Sequence, residues 1–315
     1  QFLLGENDIG WNRAEASRRA LSELNSRVVV TACTGDLSET FLASFQVSPW
    51  PRAPPPGQWR SLTAPVQVVV LTESSLEEQL YIGDFCHAHG ICFIVADTKG
   101  LAGQLFCDFG ECFVIEDPAE GDPVCAVVQH ISQGNPGVVT CMGAEDSRGH
   151  LFCDGDFVTF SGVEGMTELN GREPIPVRVL DEFRLEISDT SSFSPYRCGG
   201  LVSEVRLPEV HSYEPLCRAL LKPKIQVVSP EELPRSRSLH AAFQALHAFH
   251  REQGRLPRPR APADAERVLE LARSLGGQQG PLDEDVVRAF ASVSAGDLCP
   301  MAAVIGALAA QEVLK

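Results

Sequence analysis

The sequence lacks any stretch approaching the roughly 18 uncharged apolar residues that a bilayer-spanning helix needs. Its uncharged run Leu298–Ala310 has 13 residues and suits a buried helix instead. It has no excess of positive charge: 26 Lys and Arg face 42 Asp and Glu, for a net charge of −16. That balance argues against nucleic acid or an anionic membrane as a general partner, since both select a basic face. There is no basic-plus-apolar leader, and Gln1 stands where an initiator Met would be. At the other end, Lys315 falls inside a helical pattern with no Gly or Asn after its last turn, so both ends read as cut. No even cysteine framework exists either. Eleven Cys without regular spacing, several in apolar runs (Cys92, Cys107, Cys112), read as reduced thiols, which suits the cytoplasm or the nucleus. Cys86-His-Ala-His89-Gly-Ile-Cys92 has metal-type residues, but its start reads as helix and its end as a strand core, so no metal site is expected.

What is present is ordered by texture. Residues 11–25 read as a helix with Ala14, Leu21 and Leu24 on one face, and Val28–Thr31 reads as a short buried strand. Val68–Thr72 is a second β-branched run. Ser74 with Glu77 and Ser75 with Glu78 then offer overlapping capping boxes for a helix that Gly90 ends. Ile91–Ala96 follows as a buried strand, completing a βαβ unit with a parallel sheet. From about Gly137 short alternating strands take over: Phe157–Phe160, Met166–Leu169, Val177–Leu180, Phe183–Ile187 and Leu201–Leu207. Asn170-Gly171 supplies a hairpin-type dipeptide among them, and a small antiparallel barrel or sandwich is expected.

From about Pro230 the pattern is helical. Leu239, Phe243, Leu246 and Phe249 mark one helix ending near Gly254. Val268, Leu271, Ala272 and Leu275 mark the next, after the stiff Leu256–Pro262 linker. Asp283–Val293 and Pro300–Lys315 supply two more.

Residues 47–67 belong to neither flanking pattern, with six Pro and two Trp in 21 residues. A long functional loop is one reading. A retained intron is the preferred one: Gln-Val recurs at both joints, and excision would place Phe45-Gln46 directly before Val68.

Several stretches together resemble the N-terminal half of ubiquitin-activating enzymes. They are Gln1–Leu4, Asp8–Ser17, Ala96–Gly110, Asn135–Thr140, Asp154–Phe160 with Glu164–Asn170, and Ser294–Lys315. Within the family, Gln129–Pro136, Gly90–Phe93 and Thr159–Gly162 are most similar to the member that activates the interferon-stimulated ubiquitin-like modifier.

The resemblance implies a fold of class α/β. It consists of a partial Rossmann-like (ThiF/MoeB-type) pseudo-adenylation domain, 1–136, and a first catalytic-cysteine half-domain, an inserted small antiparallel β domain, 137–226. A helical bundle, 227–293, and a returning helix, 294–315, complete it. It also implies a parent enzyme that uses ATP and magnesium to adenylate a modifier and then passes it to a catalytic Cys beyond Lys315.

In this chain the resemblance leaves only a degenerate nucleotide corner, with Gln1 and Arg13 in the positions of a Gln and a basic helix residue. Ser75 falls where the family's acidic residue would hold metal, so no metal ligand and no cofactor are expected for the fragment itself. None of the cysteines has the surroundings of a thioester nucleophile. Cys107 and Cys112 read as core, and Cys198 beside Arg197 as a turn.

The modifier is expected on the β domain, with Glu164, Glu168 and Arg172 as contacts. The implied partners are the interferon-stimulated modifier first and ubiquitin second, the active adenylation half of the same chain, and a downstream conjugating enzyme. Neither nucleic acid nor a membrane is among them. The alternative is a non-catalytic pseudoenzyme or splice fragment that binds a modifier or partner. A dinucleotide oxidoreductase is disfavoured by the missing glycine fingerprint.

Overall fold

The computed structural model describes residues 3–35, 37–43, 68–118, 121–143, 149–227, 229–276 and 281–315. Gln1 and the suspect 47–67 segment lie outside the described residues. The chain divides into two compact units, one made of Gln1–Cys112 with Ser212–Lys315 and the other of Phe113–His211.

In the first unit, α1 (Arg13–Leu24) is capped by Asn12, whose side chain accepts from the amides of Ala14 and Glu15. None of its residues is buried. Val28–Thr31 is not a strand. Val28 and Val29 are 55% and 91% exposed. A β-branched run becomes a strand only where an edge offers hydrogen bonds, and none of the described strands pairs with it. The short helix α2 (Glu39–Ala43) buries Leu42.

The βαβ expectation holds. β1 (Val68–Leu71) pairs in parallel with β2 (Cys92–Lys99), Val68 opposite Cys92 and Leu71 opposite Val95. α3 (Leu76–His89) connects them, and of the two possible capping boxes the Ser75–Glu78 one forms. Gly90 ends the helix in the left-handed region at φ 66°. β3 (Ala102–Asp108) adds an antiparallel hairpin to β2. Ile82, Cys86, Phe93 and Val95 form the core between helix and sheet, joined by Leu216 of the short α4 (Leu216–Ala219).

The helices α5 (Leu233–Gln253), α6 (Pro262–Gly276) and α7 (Glu284–Val293) pack on one another around Phe243, Leu246, Phe249, Val268, Leu269, Val287 and Phe290. Gly254 caps α5 at φ 66°. Buried Ser238 ties α5 to α7, donating to the Pro234 carbonyl (3.0 Å) and accepting from the Asp283 amide (2.9 Å). The linker into α6 is held by Asp264. Its carboxylate accepts from Arg255 (2.7 Å), from the Arg258 amide (2.9 Å) and from the Arg258 guanidinium (3.2 Å). Finally α8 (Cys299–Val313) lies against β2 and β3. Gly103 leaves room there for Ile305, and the Gly100 amide donates to the Gly296 carbonyl (2.9 Å).

The second unit is β-rich. It holds β4 (Phe113–Ile115), β5 (Cys125–Ile131), β6 (Gly137–Gly143), β7 (Phe157–Ser161), β8 (Ile175–Pro176), β9 (Arg178–Asp181), β10 (Arg184–Ile187), β11 (Leu201–Glu204) and β12 (Glu209–His211). Seven of them form one sheet in the order β8-β7-β11-β5-β6-β10-β9, while β4 and β12 make a separate ribbon. Thus β5 contributes to this sheet from upstream of Gly137, where the sequence texture changes.

Only Val177 separates β8 from β9, and the two pair with opposite margins, β7 and β10. The single segment 175–181 therefore closes the sheet into a near-barrel. Its interior is filled by Ala126, Val128, Val139, Val158, Phe160, Met166, Leu169, Leu185 and Val202. Met166–Leu169 is a correction to the sequence reading. Thr167–Leu169 is one 3-10 turn rather than a strand, and Asn170-Gly171 ends that turn rather than closing a hairpin. Met166 and Leu169, three apart, would face opposite sides of a strand, and the turn lets both reach the barrel interior.

Candidate functional site

The three residues singled out on the β unit share the connection from β7 to β8, and its geometry explains why they face outward. Gly162, Gly165 and Gly171 take φ of +67°, +92° and +68°, turning the chain at places where a side chain would be strained. Val163, Met166 and Leu169 are almost wholly buried, so Glu164, Glu168 and Arg172 are left on the surface between and after them.

Each then meets a second segment, residues 193–198. The Glu164 amide donates to the Cys198 carbonyl (2.9 Å), and the Arg197 amide donates to the Glu164 carbonyl (2.8 Å). The Cys198 thiol donates to Glu164 Oε2 at 3.3 Å. Glu168 Oε1 accepts from both the amide and the hydroxyl of Ser194, each at 2.8 Å. Its own backbone amide together with those two donors holds the Glu168 carboxyl below its ordinary range. The Arg172 guanidinium lies 5.2 Å from the centre of the Phe193 ring, a cation–π contact. Gly165 is pressed against the Pro195 carbonyl and the Arg197 amide.

The result is a two-ply ridge with carboxylates at 164 and 168 and guanidinium groups at 172 and 197. The 193–198 ply was missed in the sequence. Its signal was Pro195 followed by Gly199-Gly200, which reads equally well as an ordinary turn.

Such a ridge can hydrogen-bond and pair charge with a protein surface, and its thiol–carboxylate contact, Cys198 with Glu164, does not favour the thiolate. Cys198 is exposed, but the neighbouring Glu164 raises its thiol pKa by accepting its hydrogen bond and by charge repulsion. Burial pushes Cys86 and Cys141 up to about 12 and Cys92 to about 11; Cys107 also rises to about 12, with Glu312 adding to its burial. Cys112 is exposed rather than core, because it lies in the irregular stretch just before β4 begins. The histidines of the metal-like run are engaged elsewhere. His87 Nδ1 hydrogen-bonds to buried Asp108 at 2.9 Å, and His89 Nδ1 to the Phe85 carbonyl at 2.8 Å. Among the described residues no group of three or more His, Cys, Asp or Glu could hold a metal ion.

On the first unit, Arg13 sits in the first turn of α1 and pairs with Glu73 at 2.8 Å. Both side chains are exposed (64% and 44%), so the pair contributes at most about 1 kcal/mol. A cavity of about 640 Å³ opens beside it, lined by Asn12, Arg13, Ser17, Arg18 and residues 30–35. Ser75 Oγ accepts from the Glu78 amide as the cap of α3 (3.2 Å). Asp97, 3% exposed at the end of β2, turns inward and accepts from the Glu73 amide and from Gln79 Nε2, both at 2.9 Å. Thus a capping hydroxyl, an internally bonded carboxylate and an ion-paired carboxylate occupy this corner. That set does not fit a magnesium-bound nucleotide, which needs carboxylate oxygens free to face the metal.

Comparison with known proteins agrees with the two textures. The ubiquitin-activating enzyme E1 FCCH domain model matches residues 134–206, and the ubiquitin-activating enzyme E1 four-helix bundle model matches residues 207–276. Human ubiquitin-like modifier-activating enzyme 7 is 47% identical over 323 residues, covering 100% of this chain and 30% of that protein. Human ubiquitin-like modifier-activating enzyme 1 is also 47% identical, over 321 residues, covering 100% of this chain and 28% of that protein. Ubiquitin-activating enzyme E1 2 of wheat is 38% identical over 323 residues, again with 28% of its length matched. The chain therefore spans less than a third of the length of these relatives, and identity does not separate the first two.

Proposed function

We propose, for a chain that belongs to the ubiquitin-activating enzyme family, that it is the part of such an enzyme that scaffolds and binds the ubiquitin-like modifier. The chemistry then belongs to other parts of the parent protein. In this reading β1, α3 and β2, with α8 returning to the sheet, are a portion of a Rossmann-like inactive adenylation domain. ATP and magnesium serve the active adenylation half, the catalytic Cys lies beyond Lys315, and a conjugating enzyme receives the product. The occupied corner around Ser75, Asp97 and Glu73 supports assigning no nucleotide to this portion.

The observation that carries the reading is the ridge. Glu164, Glu168 and Arg172, separate in the sequence pattern, are braced by one strap into a single rigid, mixed-charge surface on an E1-type β domain. Braced charges of both signs suit recognition of a folded protein, because their orientation is fixed before binding. The interferon-stimulated modifier is the favoured occupant and ubiquitin the second. Eleven unpaired thiols support a reducing compartment, the cytoplasm or nucleus.

The test is titration of the chain with each modifier side by side, followed by fluorescence anisotropy. Arg172→Glu is expected to weaken the preferred modifier by tenfold or more, about 1.4 kcal/mol. Equal affinity of wild type and variant for both modifiers would remove the ridge from the interface. Pyrophosphate exchange by the chain alone would overturn its assignment as non-catalytic.

A further inference from the structure

The two apolar cores of the first unit come near each other without closing. Leu80 and Leu220 pack against the core beneath α3, and Ala248 packs against the core of the α5–α7 bundle. A cavity of about 550 Å³ lies between them, a size that suits a small molecule. Side chains of α5 explain why it stays open. His240 and Gln244 tie the helix to the end of α4, reaching the Leu220 carbonyl at 3.3 and 2.5 Å. One turn further along the same face stands Ala248, whose methyl group cannot bridge the gap.

The lining has two characters. Leu76 and Leu80, four apart on α3, form its apolar part together with Leu220, Leu221 and Leu275. Leu221 and Leu275 are 77% and 46% exposed, so apolar surface is held in water at the lip. The polar part comes mainly from α5, as His247, His250 and Arg251. None of these three side chains makes a hydrogen bond or ion pair among the described residues. Burial holds His247 below the ordinary imidazole range, so near neutral pH it is an uncharged hydrogen-bonding group. Arg251 keeps its charge. Against them, Glu77 is the one carboxylate in the lining among the described residues. A chain of net charge −16 thus leaves a guanidinium without a partner beside a leucine-lined hollow. Charge pairing is stronger at such an apolar wall than in open water.

We propose that this cavity binds an amphiphilic carboxylate, its apolar chain on the leucines and its head group on Arg251 and His247. A neutral alcohol of the same length would lack the charge pair, and an alkylammonium would meet Arg251 as a like charge. All the lining residues belong to the first unit, so the inference stands apart from the modifier reading of the β unit.

The test is isothermal titration calorimetry of the 315-residue chain with octanoate, 1-octanol and octyltrimethylammonium, all below micelle-forming concentrations. Octanoate is expected to bind at a single site, at least tenfold more tightly than the other two. Arg251→Gln is expected to weaken octanoate at least tenfold and leave octanol unchanged, and Leu221→Ser to weaken both. Both positions are exposed, so these variants should keep the wild-type melting temperature. Arg235→Gln, on α5 outside the cavity, should bind as the wild type does. No octanoate binding, equal affinity for octanoate and octanol, or octanoate binding indifferent to both lining variants overturns the inference. So does an acidic, leucine-rich peptide that binds more tightly than octanoate and loses affinity in Arg251→Gln, since the cavity would then belong to a protein partner.

Discussion

The carboxamide of Asn170 grips the backbone of Val163 from both sides, accepting from its amide at 3.0 Å and donating to its carbonyl at 2.8 Å. This double bond clamps the turn that displays Glu164 and Glu168. Asn170→Ala would leave both backbone groups of nearly buried Val163 without a partner, a loss of about 1–3 kcal/mol. The urea midpoint of the β unit should fall accordingly. Asn170→Asp should lose at least as much at neutral pH, because a carboxylate would then face the Val163 carbonyl.

Two glycines in the same turn should respond differently to a methyl group. Gly171 has a left-handed φ but open space around it, so Gly171→Ala should lose only the conformational term, about 1–2 kcal/mol. At Gly165 the methyl would also collide with the Pro195 carbonyl, which is backbone and cannot swing aside. Gly165→Ala should therefore lose about 3 kcal/mol or more and weaken modifier binding together with stability. Equal midpoints for the two variants would mean that the strap is not pinned.

Acid should loosen the linker before α6. Hydrogen bonds from Arg255, then from the Arg258 side chain and amide, hold the Asp264 carboxyl well below its ordinary range. A lowered folded-state value means that the unfolded chain binds the proton more readily. The contribution is thus complete above about pH 4 and disappears as pH falls towards the folded value. Asp264→Asn should lower the melting temperature at neutral pH and flatten its decline below about pH 4. An unchanged acid limb would show that the network does not govern it.

Thiol labelling separates the cysteines by environment. At neutral pH iodoacetamide should modify exposed Cys33, Cys112, Cys153, Cys217 and Cys299 in the native protein, and spare Cys86, Cys92 and Cys141 until it unfolds. Cys198 is expected to lag behind the other exposed thiols, and Glu164→Gln to speed it up, since the carboxylate that raises its pKa is then gone.

Local rules carried the α/β part of the sequence far. The overlapping boxes at Ser74 and Ser75 placed the start of α3 to within a residue, Gly90 marked its end, and the flanking apolar runs became a parallel pair. They failed where a segment's state depends on distant partners. Val28–Thr31 has strand composition but pairs with none of the described strands, and Met166–Leu169, read as a strand, bends to send both its apolar residues into one barrel. The outward placement of Glu164, Glu168 and Arg172 was legible. Their convergence on residues 193–198 was not, because contacts between segments 20 to 35 residues apart leave no periodicity in the chain. Asp97 has no local signal of its own, and its inward bonds to Glu73 and Gln79 appear only once β1 and β2 are side by side.

The segment 175–181 acts as the one buckle of the seven-stranded sheet, fastened to β7 at one end and to β10 at the other. A belt with one buckle does not fray from an edge. Releasing that segment would bare β7 and β10 at the same moment, so their amides should exchange with deuterium as a single cooperative group. Intact, it covers the margins of β7 and β10 against a strand from another molecule.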